Sequence, residues 1–296
     1  MTWNGLILAG GTGSRLAPLT RVLNKHLLPV FDKPMIYYPL TTLMLADIRE
    51  ITVVTTPESV EQFVALLGDG TQWGLRLTYK IQRRPDGIAG ALLTASDQLR
   101  GHNLALVLGD NIFFGAGFAH TLQTSMTNNA GATIFGYEVA DPSAFGVVTV
   151  DSRGRPVAIE EKPARPTSRI AVTGLYLYGP DIMGITSELR PSPRGEIEIT
   201  DVNRVYLTQG RLNFRNLGRG IAWLDGGTPE DLYEAGQFVK VVQDRTGLRV
   251  ACPEEIAYRR GFIDRAGFSR LVENAPPSDY KNYLLRVLED LSIGSD

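Results

Sequence analysis

Residues 8–30 read LAGGTGSRLAPLTRVLNKHLLPV and follow directly on the apolar start of the run Gly5-Leu6-Ile7-Leu8-Ala9. An apolar run that breaks into glycines is a strand entering a loop, and such loops often hold phosphate. The two common phosphate patterns fail on the letters. A dinucleotide loop needs G-x-G-x-x-G, and the third glycine position is Leu16; no G-x-x-x-x-G-K-[ST] string occurs anywhere. What remains is a strand, then Gly10, Gly11, Thr12 and Gly13 with backbone amides free to face an anion, then Arg15, and Lys25 ten residues further on. Glycine lets the backbone approach a ligand closely. Read alone, the same letters also describe a tight strand-to-helix turn with a surface arginine, and Lys25 reads as a snorkelling surface lysine.

Further apolar runs repeat the pattern. Residues 51–55 and 104–108 match 5–9 as strands buried on both faces, with a helix-length apolar segment at 35–48 between the first two. Pro39 inside that segment weakens its middle as a helix, because proline lacks the amide and clashes with the preceding turn. Strands spaced by helices predict βαβ units and a parallel sheet. After about Gly131 the spacing shortens: residues 132–139, 145–150, 156–161 and 172–178 read as strands, with Asp151-Ser-Arg-Gly154 as a hairpin turn. The tail returns to helices. One is expected at 229–244 behind Thr228 as N-cap, and one at 280–291 with Leu284, Val287, Leu288 and Leu291 on a packing face.

Composition narrows the function class. The 296 residues carry a formal charge of -2, 43% apolar and 21% charged side chains, so no basic field points to nucleic acid or an anionic membrane. One cysteine, Cys252, rules out an internal disulfide framework, and three widely spaced histidines (His26, His102, His120) argue against a histidine zinc site. With no signal-like start and no long uncharged apolar segment, a cytoplasmic enzyme is expected.

Two aspartates end apolar runs: Asp110 in Gly109-Asp110-Asn111 and Asp225 in Trp223-Leu224-Asp225-Gly226-Gly227. Ligands of open parallel sheets bind beyond the carboxyl ends of strands, and two carboxylates beside a phosphate loop suit Mg²⁺. Each aspartate by itself reads equally as a turn or cap residue. In Glu160-Glu161-Lys162-Pro163, strand alternation predicts that Glu161 and Lys162 point to opposite faces, so that only one of them serves a ligand. Arg194, bracketed by Pro193 and Gly195, is a rigidly presented arginine able to clamp a phosphate.

Together these strings resemble the glucose-1-phosphate thymidylyltransferase (dTDP-glucose pyrophosphorylase) family. The likeness runs through LAGGTGSRL, NKHLLPVFDKPMIYYPL, LLGDG, RRPDGIA, ALVLGDNIFFG, FGVV, EEKP, AVTGLYLY, PRGEIEITDVN, AWLDGGT and ACPEEIAYR, nearly the whole chain. The resemblance implies a three-layer α/β/α, Rossmann-like nucleotidyltransferase sandwich with a mixed, mainly parallel central sheet, a β-rich sugar-binding part and a helical C-terminal appendage. It implies a catalytic domain over 1–240, with a nucleotide part at about 1–130 and a sugar part at about 131–228. Residues 241–296 would then form a helical segment at an oligomer interface.

The implied reaction joins dTTP and glucose 1-phosphate, releasing pyrophosphate, with Mg²⁺. By resemblance Leu8, Gly10, Gly11, Thr12, Gly13 and Arg15 hold the triphosphate, and Lys25 serves the α-phosphate. Gln82, Pro85 and Gly87 match the pyrimidine segment, and Asp110 and Asp225 the metal ligands. Phe145, Gly146, Glu161 and Val172 line the sugar, while Lys162 and Arg194 hold its phosphate. Arg219, Glu255, Ile256 and Arg259 match a second, regulatory nucleotide site, and a homotetramer built as a dimer of dimers is implied.

Four residues depart from the family pattern. His26 and Gly90 stand where glutamines are usual, Phe145 where a tyrosine is frequent, and Gly226 where a threonine follows the aspartate. They predict an altered preference for base or sugar, and a looser second metal ligand. The same chemistry on UTP or a modified sugar 1-phosphate, and a silent nucleotide-sugar sensor, are the competing readings.

Overall fold

A computed structural model describes residues 2–84, 86–192 and 195–293, with side chains up to residue 290. Pro85 and Arg194 therefore lie outside the described residues, as does the side chain of Leu291.

The chain opens with strand β1 (Trp3–Ala9), followed by a small hairpin of β2 (Pro29–Val30) and β3 (Lys33–Pro34) that leads into helix α1 (Tyr37–Leu45). Pro39 is the third residue of α1, inside the first turn, where the missing amide would have had no intrahelical partner. That is why the helix forms despite the proline, though shorter than the 35–48 expected. Next come β4 (Glu50–Thr55), α2 (Val60–Leu67), β5 (Arg76–Ile81), α3 (Gly87–Thr94), α4 (Ser96–Leu99), β6 (Asn103–Leu108), β7 (Asn111–Gly115) and α5 (Phe118–Thr127). Strands β5, β4, β1 and β6 lie side by side and parallel.

The β-rich second part consists of β8 (Ala132–Glu138), β9 (Gly146–Val150), β10 (Pro156–Glu161), β11 (Ile170–Tyr178), α6 (Ile182–Glu188), α7 (Ile199–Thr208), β12 (Leu212–Asn216) and β13 (Ile221–Asp225). It continues the same sheet. β11 pairs antiparallel with β6 and also with β8 and β9, giving one nine-stranded mixed sheet. The hairpin turn between β9 and β10 forms as read, with the Asp151 carboxylate accepting from the Arg153 and Arg155 amides at 2.9 Å and Gly154 at a positive φ of 75°.

Alternation along the central strands explains their unbroken apolar sequence. Ile7, Ala9, Ala105 and Val107 face a core under α1, α2, α5 and the C-terminal helices. Leu6, Leu8, Leu104 and Leu106 face the opposite core under α3, α6 and α7. Both sheet faces are dry, so both strand faces must be apolar.

Strand β13 pairs with β7 in a separate two-stranded sheet that places Asp225 opposite Asn111. Helix α8 (Pro229–Thr246) starts behind Thr228, whose hydroxyl oxygen accepts from the Asp231 amide at 3.2 Å. The tail is α9 (Pro253–Arg259), α10 (Arg265–Asn274) and α11 (Asp279–Ile293), where Leu284 and Val287 pack on Phe268 and Val272. Among the described residues, no helix is long and apolar enough to cross a membrane.

Candidate active site

The carboxyl ends of β1, β6 and β13 converge, and each delivers one charged or glycine-rich element. Beyond β1 the loop Gly10–Gly13 passes Lys25 so closely that a Cβ at Gly11 would sit 3.3 Å from Lys25 Cε. Gly13 is left-handed, at a φ of 61°, and the Thr20 hydroxyl donates to its carbonyl at 2.7 Å. Lys25 opens a single helical turn capped by Asn24, whose Oδ1 accepts from the His26 amide at 3.0 Å. The cap aims Lys25 Nζ at Asp110 Oδ2, while Asn111 Nδ2 donates to Asp110 Oδ1 at 3.0 Å.

Asp110 is thus satisfied on both oxygens. Burial alone would raise its pKa, but the Lys25 ammonium, then His26 and the hydrogen bonds from Lys25 and Asn111, hold it well below the usual carboxylate range. Asp225 is the reverse case. Burial and then the negative charge of Asp110 push its pKa up to about 7, against the opposing pull of Lys25 and Arg15. A Cβ at Gly227 would meet Arg15 Nη2 at 2.8 Å and Asp225 Oδ2 at 2.9 Å, so glycine there leaves room for both. Gly226 is pinned, its amide donating to the Asp110 carbonyl at 3.0 Å, with Met35 Cε 2.6 Å from where a Cβ would lie.

His26 is buried, and its Nδ1 lies 2.8 Å from Asn24 Oδ1. Burial, followed by the Lys25 charge, lowers its pKa to about 3, so the ring is neutral at physiological pH. It fills the space over the end of β6, where a Cβ at Gly109 would meet His26 Cδ2 at 2.5 Å. In this chain His26 is a wall behind the lysine.

Two cavities share Asp110. The first also contains Leu8, Gly10, Gly11, Thr12, Lys25, Gln82 and Gly87, all expected on the nucleotide side. The second also contains Arg15, Phe145, Gly146, Glu161, Lys162, Val172 and Asp225. One expectation fails here. Glu161 and Lys162 face the same cavity, because β10 ends at Glu161 and Lys162 takes a left-handed φ of 43° that breaks the strand alternation. Lys162 Nζ lies 3.8 Å from Glu161 Oε1, and the Thr200 hydroxyl donates to Glu161 Oε2 at 2.5 Å. The Phe145 ring sits edge-on to Trp223 with centroids 5.1 Å apart, and Trp223 Nε1 donates to Asn111 Oδ1 at 2.6 Å.

Sequence reasoning missed Asn111, Thr200 and Trp223. Asn111 directly follows Asp110 and was readable as its partner; Thr200 and Trp223 reach the site only through tertiary pairing. Of the four residues expected at a second nucleotide site, Ile256 lines a separate cavity beside Phe114, Phe118 and Arg249. Glu255 turns inward, accepting from the Tyr283 hydroxyl and from Arg259 Nε, the latter at 2.7 Å, and Arg219 is exposed on the turn between β12 and β13.

Among the described residues no group of three or more histidines, cysteines or acids could hold a metal. The pair Asp110 and Asp225 is nevertheless a suitable donor set for Mg²⁺, which takes one or two carboxylates and completes its shell with substrate oxygens and water.

Residues 4–241 match the family model for nucleotidyl transferases. The chain is 51% identical over 280 residues to a glucose-1-phosphate thymidylyltransferase of Xanthomonas campestris pv. campestris strain B100, covering 95% of each. The chain belongs to the glucose-1-phosphate thymidylyltransferase family. A Mycobacterium tuberculosis (strain H37Rv) member of this family is 49% identical over 285 residues, covering 96% of this chain and 99% of its own. A Bacillus anthracis protein assigned as a glucose-1-phosphate thymidylyltransferase, solved in complex with a sucrose, superposes with a TM-score of 0.74. It is 41% identical and covers 80% of this chain and 95% of its own. A UDP-glucose pyrophosphorylase solved with UDP-glucose, 24% identical at a TM-score of 0.72, shares the fold.

Proposed function

We propose that the protein is a glucose-1-phosphate thymidylyltransferase that joins dTTP and α-D-glucose 1-phosphate into dTDP-glucose and pyrophosphate. One observation carries this reading: two cavities adjoin at Asp110, with Lys25 lining the first and Arg15 and Asp225 lining the second. The sugar phosphate is already a competent nucleophile, so no general base is needed; catalysis is positioning plus neutralisation of charge.

Lys25 faces the α-phosphate and stabilises the charge that develops there. Arg15 and the amides of Gly10, Gly11, Thr12 and Gly13 take the departing pyrophosphate. Lys162, with Arg194, holds the incoming phosphate and offsets the repulsion between two anions. Glu161 accepts sugar hydroxyls beside Phe145, Gly146 and Val172. Gln82 and Gly87, with Pro85, hold the pyrimidine against Leu8. Mg²⁺ held by Asp110 and Asp225 would neutralise phosphate charge and fix its orientation.

In this reading residues 1–130 serve the nucleotide, 131–228 the sugar, and 241–296 the contacts of a cytoplasmic homotetramer. Arg219, Glu255, Ile256 and Arg259 belong to a feedback site for a nucleotide-sugar; two dTTP bound per chain support it and one removes it.

A pyrophosphate-release assay with Mg²⁺, several nucleoside triphosphates and several sugar 1-phosphates tests the function. Turnover on dTTP with glucose 1-phosphate above all other pairs is expected. Preference for UTP or a modified sugar would redirect the specificity, and no release with any pair would leave a nucleotide-sugar sensor.

A further inference from the structure

Helix α3 begins at Gly87, and the residue before it, Asp86, stands at the N-cap position. Aspartate there ordinarily accepts from an amide of the first turn. Asp86 makes no such bond. Its Oδ1 instead accepts from the side-chain amide of Gln82, whose Nε2 also donates to the Gly87 carbonyl at 3.2 Å.

The diversion depends on Gly90. A Cβ at position 90 would lie 2.3 Å from Asp86 Oδ1 and 2.5 Å from its Cγ, so any larger residue displaces the carboxylate. The Asp86 backbone is fixed separately, its carbonyl accepting from the Ile197 amide at 3.0 Å.

A carboxylate and a carbonyl only accept, so the nitrogen of the Gln82 amide must face them and its oxygen must face away. The geometry agrees: Oε1 lies 3.2 Å from where a Cβ of Gly10 would stand, at the lip of the base-side cavity. Among the described residues Oε1 has no donor.

We infer that Asp86 is a positioning residue that locks the Gln82 amide with its oxygen toward the nucleobase, so that the site selects pyrimidines carrying an N3–H. Thymine and uracil donate there; cytosine presents a lone pair instead. The inference rests on the proposed reading of Gln82 as the base contact. Freed from Asp86, the amide can rotate and offer its NH₂ to cytosine. A misdirected buried hydrogen bond changes selection by about ten-fold or more.

The test is kcat/KM for pyrophosphate release with glucose 1-phosphate and dTTP, UTP or dCTP. Wild type, Asp86→Ala, Asp86→Asn, Gly90→Ala and Gln82→Ala are compared, with thermal unfolding of each. Asp86→Ala is expected to lower the dTTP-to-dCTP ratio by about ten-fold or more, mainly through KM for dTTP with kcat little changed. Gly90→Ala should move the ratio the same way without lowering the melting temperature, which covers the case of a misfolded Asp86→Ala. Asp86→Asn, which keeps an acceptor, should retain more discrimination than Asp86→Ala.

A ratio that changes by less than ten-fold in both Asp86→Ala and Gly90→Ala overturns the inference, as does an equal loss on all three nucleotides. Unchanged discrimination in Gln82→Ala would show that the base is read elsewhere and remove it too. Wild-type protein inactive on every triphosphate would instead remove the proposed function, and the inference with it.

Discussion

The ends of β6 and β13 carry the same residue in the same cavity and treat it in opposite ways. Asp110 sits between Lys25 and Asn111 and is held ionised. Asp225, half-buried beside it, faces a like charge and is pushed up to about 7. The difference teaches that the site is completed on one side and charge-deficient on the other. A proton or a divalent cation resolves the deficit, and a cation can bring the substrate phosphates with it.

The largest expected effect comes from removing the cation on the completed side. Lys25→Ala should lower kcat by about 10²–10³-fold, the range for loss of one preorganised charge-stabilising donor. Near-normal turnover in a folded variant would exclude that role. The two aspartates should then separate in stability. Asp110→Asn leaves the half-buried Lys25 without its ion-pair partner, with Asp225 as the remaining negative charge, and should cost about 1–3 kcal/mol in denaturant unfolding. Asp225→Asn, in metal-free protein at pH 8, should stabilise, because it removes an ionised carboxylate held next to another. The same sign for both variants would erase the contrast.

Smaller effects test the scaffold around the second aspartate. Gly226→Ala drives a Cβ into Met35 and should cost about 1–3 kcal/mol through overpacking. Thr228→Ala removes the cap of the helix that follows Asp225 and should cost about 1 kcal/mol, read as a lower melting temperature.

The central strands were legible because burial on both faces leaves only apolar letters, and Asp110 and Asp225 because each ends such a run. The glycine loop was legible as a close approach, though its ligand was not, since Gly11 and Arg15 also read as a turn and a surface charge. Other features depend on contacts no local pattern encodes. Strand β13 finds β7 across more than a hundred residues, which brings Trp223 to Asn111. Lys162 leaves the strand alternation through its backbone conformation, so an alternation rule assigned it to the wrong face. Pro39 misled in the other direction: its cost depends on whether it falls in the first turn, and the letters alone do not fix where that turn begins.

The contrast between the aspartates is tested most directly by the Mg²⁺ activation constant of the wild-type enzyme and Asp225→Asn between pH 5.5 and 8.5. With a folded-state pKa of about 7 against 3.8 unfolded, Asp225 holds a proton that the unfolded chain has lost. Stability of the metal-free protein therefore falls as pH rises from about 4 to 7, by at most about 1.4 kcal/mol per pH unit. With Asp225 as a Mg²⁺ ligand, as proposed, the ion would have to displace the same proton. Its apparent affinity should therefore rise about ten-fold per pH unit below 7, level off above it, and lose this dependence in Asp225→Asn. An activation constant that is flat through pH 7 in the wild type, or that keeps the same slope in Asp225→Asn, would contradict the assignment of Asp225 as the proton- and metal-exchanging carboxylate.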